Sequence, residues 1–272
     1  MIMFVYGDSW TEGTGTESEY VKPSDREELR IIRNQHSWGK VLADQLNCEI
    51  INNGVSGSDN KTIFNKICED INNKVINSGD FVVIMWSSTL RDPVPFFPNN
   101  EWHIWSSHHF GNEELNNKFF YRTPNKNKNV TYNEFFLKYQ KFFIENLFNQ
   151  NYYNIINQNY IIFIQNLLDY FKINHLQCDA FDLMVQNLRD DDNVIENINQ
   201  DRYWFFGKKT FRDFLINTNE TYLWDTDTPF DVVGNKHPSY KGYKIIGNEL
   251  YRFINENNII EFNHTQIKTK MI

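Results

Sequence analysis

The run Phe81-Val82-Val83-Ile84-Met85-Trp86, inside "GDFVVIMWSS", is apolar at every position. A strand with one wet face alternates apolar and polar residues, so an unbroken apolar run demands cover on both faces. Two more short runs precede it: Ile2 to Tyr6, bounded by Gly7, and "CEIINNGVSG", which ends at Asn53-Gly54. The segments between them carry helical spacing. Trp38, Val41, Leu42 and Leu46 share one helical face, and Ile63, Ile67 and Ile71 recur four apart behind an N-cap at Ser58 or Asp59. Strand, helix, strand, helix, strand predicts a parallel sheet with crossover helices.

The remainder divides less cleanly. Thr11 to Gln35 is polar and charged and reads as a long loop. Arg91 to Lys128 breaks the rhythm, holding four of the seven prolines and the stretch "WHIWSSHH", and reads as an elaborated loop. Tyr132 to Tyr170 suggests two helices, "HLQCDAFDL" a fourth strand, and Arg189 to Gln200 a surface connection. "YWFFGKKTFRDFL" reads as core followed by a helix start. A last helix carries Ile245, Ile246, Leu250 and Phe253. With no internal repeat and no Gly/Ser linker, the 272 residues are expected to form one domain over 1–272, with an insertion at about 91–130.

Composition narrows the function. A net charge of −8 with no Lys/Arg cluster sets nucleic acid aside, because phosphate binding needs a basic face. Cys48, Cys68 and Cys178 match no metal or disulfide spacing and read as reduced thiols. Neither a leader pattern nor an apolar stretch of membrane-spanning length is visible, so a cytoplasmic location away from membranes is expected.

The chemistry centres on "MFVYGDSWTEG". Gly7-Asp8-Ser9 falls at the carboxyl end of the first strand, where open α/β sheets bind ligands, and Ser9 would project into that crevice with Asp8 beside it. A serine is a weak nucleophile without a base in hydrogen-bond reach. The clearest base is His237 in "NKHPSYKGY", just before the last helix.

These segments resemble the sequence blocks of the SGNH, or GDSL-type, serine hydrolases. "FVYGDSWTEG" looks like the first block, "IINNGVSG" the second and "HPSYKGYKIIGNEL" the last, in the family's order and spanning nearly the whole chain. The resemblance implies a three-layer α/β/α flavodoxin-like sandwich around a mostly parallel sheet. It also implies ester hydrolysis or acyl transfer through a serine acyl-enzyme, without a cofactor or metal. Ser9 would then be nucleophile and His237 general base, with the amides of Ser9 and Gly54 facing the oxyanion.

Two blocks depart from the family pattern. The third should place an Asn after the third strand, where "MWSSTLRD" has Ser87 or Ser88. Arg91 is a second donor there, an anchor for an anionic substrate, or the partner of Asp92 or another carboxylate. The Asp expected three residues before the histidine is replaced by Gly234. Asp231 is the first alternative and Asp227 or Asp225 the next, and a backbone carbonyl would leave a Ser-His dyad. His103, His108 and His109 fit no zinc spacing, so the "WHIWSSHH" stretch reads as a lid suited to sugar rings, or as packing. Glu12 and Glu17 read as solvated, and "RDDDN" as a surface turn. The expected substrate is a small-molecule or glycan ester, an O-acylated carbohydrate first. Acyl transfer to a sugar by the same site, and a glycan-binding or structural module without activity, are the alternatives.

Overall fold

A computed structural model describes residues 1–16, 26–89, 91–96, 101–106, 150–184, 195–218 and 237–260. In chain order the elements are β1 (Ile2–Gly7), α1 (Ser9–Glu12), α2 (Arg26–His36), α3 (Trp38–Leu46), β2 (Glu49–Gly54), α4 (Asn60–Asn72) and β3 (Phe81–Trp86). There follow β4 (Arg91–Phe96), β5 (Glu101–Ser106), α5 (Gln150–Tyr170), β6 (Asn174–Asp179), α6 (Phe211–Ile216) and α7 (Tyr240–Glu256).

The central sheet has the order β2-β1-β3-β6, and each neighbouring pair is parallel. Beyond β6, Gln177 and Tyr203 form an isolated parallel bridge. The apolar runs of β1 and β3 are divided between two cores. Met3, Val5, Phe81, Val83 and Met85 face Trp38, Leu42 and Leu46 of α3 together with Tyr243, Ile246 and Leu250 of α7. Phe4, Tyr6, Val82, Ile84 and Trp86 face Ile63 and Ile67 of α4 together with Ile161, Ile164 and Leu168 of α5. Helices therefore cover both faces, and every residue of β3 is buried, as its composition demands. The fold is a three-layer α/β/α sandwich with a parallel central sheet.

Strand order fixes where a ligand can enter. From β1 the chain moves outward to β2 in one direction and to β3 in the other, so the order reverses between β1 and β3. The crevice outside the carboxyl ends at such a switch point is the expected binding place in doubly wound sheets.

Two expectations change. The stretch read as a loop through Gln35 contains α2, a predominantly polar and charged helix whose most buried residue is Arg33, flanked by half-buried Leu29 and Ile32, so the polarity of the segment outweighs its short apolar face. The segment after β3 begins with a two-stranded antiparallel hairpin, β4 with β5, in which Pro93 faces Ile104 and Pro95 faces Trp102. Both strands are edges, where a missing N–H is tolerated. Asp59, not Ser58, caps α4 and accepts from Thr62 N. "HLQCDAFDL" does contain a strand, β6, and "KKTFRDFL" a helix start, where Thr210 and Asp213 form a reciprocal capping box. Of the two helices expected in 132–170, α5 is described and 132–149 lies outside the described residues. Among the described residues no helix is long and apolar enough to cross a membrane.

Candidate active site

The turn after β1 is tight because of Gly7. A Cβ there would collide with the Thr11 side chain and come within 2.8 Å of Met85 O, so only glycine lets the chain fold back into α1. Asp8 caps that helix, its Oδ1 accepting from Trp10 N at 3.0 Å. Ser9 is the first residue of α1 and is 6% exposed. Its Oγ lies 3.0 Å from His237 Nε2, across 228 residues of sequence.

Two further contacts bring the histidine to the serine. Tyr243 OH donates to Thr14 O at 2.7 Å, and the rings of His36 and Tyr240 meet edge to face at 5.0 Å. The first turn of α7 is thereby pinned to the segment that follows Ser9. Ser239, two residues after His237, caps α7 by accepting from Gly242 N and so fixes where the helix starts. Asp231, Asp227 and Asp225 lie outside the described residues.

The loop after β2 closes the other side. A Cβ on Gly54 would sit 2.6 Å from Thr11 C and would also strike the Glu12 backbone, so glycine is again required where β2 meets α1. The Gly54 amide donates to Asn52 Oδ1 at 2.9 Å, and Asn52 Nδ2 donates to Thr11 O at 2.9 Å. This clamp occupies the amide expected to face an oxyanion. Of the next amides, Val55 N donates to Gly7 O, Ser56 N to Glu12 Oε2 and Ser58 N to Val55 O. Gly57 N, in a left-handed turn at φ +85°, has no partner among the described residues, and neither does Ser9 N.

Behind the turn lies a polar cluster that joins three loops. Asp8 Oδ2 accepts from Ser87 Oγ at 2.7 Å and from Arg91 Nη1 at 2.7 Å. The same Nη1 donates to Ser87 Oγ at 2.8 Å and Ser58 O at 3.2 Å. Arg91 therefore pairs with Asp8, a buried capping and ion-pairing group, and the Asp92 side chain lies outside what the structure describes. Ser88 Oγ donates to Asp182 Oδ2 at 2.6 Å. Both serine hydroxyls expected to serve an oxyanion are committed to carboxylates.

Three contributors have no obvious mark in the sequence. Asn60, at the start of α4, accepts from Ser87 N at 2.7 Å through Oδ1 and donates through Nδ2 to Ser87 O at 3.2 Å, holding the end of β3. Asn52 clamps β2 onto α1. Glu12 is not solvated: it pairs with Arg33 at 3.2 Å, and its Oε2 also accepts from the Ser56 hydroxyl. A polar residue inside a strand end or at a helix start is the only signal any of them offers.

A second carboxyl group lies at the end of β6. Burial pushes the Asp179 carboxyl up to about 7, against hydrogen bonds from Tyr203 OH at 2.5 Å and Met184 N at 3.3 Å. Deeper in the same strand, burial drives the His175 imidazole down to about 4, with Asp169 opposing that shift and Arg202 adding to it.

No protein-family model matches the chain, and no curated protein matches it. Solved structures do. The chain is similar to a member of the lipolytic protein G-D-S-L family from Veillonella parvula, with a TM-score of 0.42 and 12% identity over 94% of this chain and 97% of that one. It is similar to an acetylxylan esterase from Geobacillus stearothermophilus, at 0.44 and 11% over 93% of each chain. It is also similar to LAE5, an alpha/beta hydrolase enzyme from the metagenome of Lake Arreo, at 0.47 and 8% over 96% of each.

Proposed function

We propose that the protein is a serine ester hydrolase working through an acyl-enzyme. The observation that carries this reading is the 3.0 Å contact between Ser9 Oγ and His237 Nε2 at the switch point of the sheet. Ser9 Oγ attacks the ester carbonyl while His237 Nε2 takes its proton, then returns it to the leaving alcohol. Water repeats the sequence on the acyl group, with His237 again as base. The developing oxyanion is received by the amides of Ser9 and Gly57. Gly57 takes the role expected of Gly54, because it is the one amide of residues 54–58 without a partner among the described residues. Each such donor is worth about 10²–10³-fold in rate. The proposed substrate is an O-acyl ester of a carbohydrate, in keeping with the aromatic segment that follows β3.

The test is a hydrolysis screen over short-chain aryl acetates and butyrates, acetylated sugars and long-chain lipid esters. Short acyl esters should turn over, with the rate falling about 10²–10⁴-fold in His237→Ala, the range for a lost general base. Activity that survives Ser9→Ala would overturn the mechanism, and preference for lipid chains would overturn the substrate class.

A further inference from the structure

Arg91 is held at two of its three sides. Nη1 is saturated by Asp8, Ser87 and Ser58 O, which ties together the loops after β1, β2 and β3. One face of the guanidinium lies over the Phe181 ring, with Cζ 5.2 Å from its centroid, and Phe181 is itself braced edge-on by Trp10 at 4.8 Å. The third side is the edge formed by Nε–H and Nη2. Neither nitrogen has a partner among the described residues, and neither is among the buried unbonded side-chain atoms. The side chain is 20% exposed. That edge presents two parallel N–H groups, the fork that takes a carboxylate bidentately.

We infer that the Nε/Nη2 edge of Arg91 binds a carboxylate of the substrate, so that the preferred ester carries a negative charge close to the scissile bond. The inference rests on Ser9 being the esterase nucleophile. Arg91 pairs with Asp8, the residue immediately before Ser9, so an anion on its free edge lies at the same carboxyl end of the sheet. Nothing needs to be ordered on binding, since the guanidinium is already fixed through Nη1 and Phe181, and this keeps the entropic cost low. The carboxylate belongs either to the acyl group, as in a half-ester of a dicarboxylic acid, or to the alcohol, as in an esterified sugar acid.

Matched esters distinguish these sources. p-Nitrophenyl hemisuccinate against p-nitrophenyl acetate places the charge on the acyl side, and 4-acetoxybenzoate against 4-acetoxybenzamide places it on the alcohol side. In one of the two pairs the charged ester should be favoured by about 10- to 100-fold in kcat/KM, the range for charge-assisted hydrogen bonds. Arg91→Lys can still offer an ammonium to Asp8 but has no second edge, and should bring that ratio to within about threefold of one. The ratio is the readout, so a general loss of activity in the variant does not imitate the effect. Circular dichroism confirms the fold of the variant. No preference in either pair, or a preference that Arg91→Lys leaves intact, overturns the inference while the esterase reading stands. If neither member of either pair is hydrolysed, the esterase reading fails separately. Calorimetric titration with succinate and succinamide then decides the site without turnover. Succinate binding that Arg91→Lys weakens at least about tenfold supports it, and no binding, or binding the variant keeps, overturns it.

Discussion

Gly7 and Gly54 are the residues on which the position of Ser9 depends most closely, because α1 passes over both with no room for a methyl group. Gly54→Ala would press on the Thr11 and Glu12 backbone rather than on a side chain that can turn away. The expected cost is about 2–3 kcal/mol, the upper range for overpacking. A thermal melt and the hydrolysis rate should fall together. The buried pair Asp179 and His175 gives a prediction of opposite signs. Asp179 titrates near 3.8 when unfolded and near 7 when folded, so its contribution is full below about 4 and is lost as pH rises to 7. His175 goes from 6.5 unfolded to about 4 folded, so its contribution is full above 6.5 and is lost as pH falls to 4. Between those limits the slopes oppose each other, each at most about 1.4 kcal/mol per pH unit. Melts between pH 4.5 and 6.5 should therefore show Asp179→Asn gaining stability with pH more steeply than wild type, and His175→Gln less steeply. Parallel curves for all three proteins would refute the assignment.

At the scale of elements, α7 matters because its first turn follows His237 directly. Ser239→Ala removes the cap that accepts from Gly242 N and should cost about 1 kcal/mol. Tyr243→Phe removes the bond from its hydroxyl to Thr14 O, and should lower kcat more than it lowers the melting temperature, since that bond joins the two halves of the site. Steady-state kinetics beside a melt separates the effects. Strands β1 and β3 were legible in the sequence because burial on both faces removes every polar residue from their centres. Helix α2 was not, because it is polar and charged along most of its length and its most buried residue is Arg33, paired with Glu12, so only Leu29 and Ile32 mark its inward face. The β4–β5 hairpin was hidden by prolines that only edge strands accept. Ser9 and His237 each stood out within a local motif, but what the remaining polar residues do depends on contacts between distant segments. Asn52 capturing the Gly54 amide, and Ser87 and Ser88 turning to carboxylates, follow from how three loops meet.

Across the whole molecule, the Ser9–His237 contact is assembled only when the sheet is. Ser9 belongs to the first strand's end and His237 to the approach to the last helix, with β1 packed between the core under α3 and α7 and the core under α4 and α5. Loss of either core should therefore abolish the site. Leu250→Ala, which empties a fully buried position in α7, should cost about 2–5 kcal/mol. Urea denaturation should then show serine reactivity and far-UV ellipticity disappearing at one midpoint, shifted equally by the variant. The central claim, an activated serine, is tested most directly by the rate of labelling with a fluorophosphonate, read by intact mass and peptide mapping. One adduct per chain on Ser9, absent in Ser9→Ala and slowed at least about 100-fold in His237→Ala, is the predicted result. A folded protein that takes no label, or one labelled equally fast without His237, would contradict it.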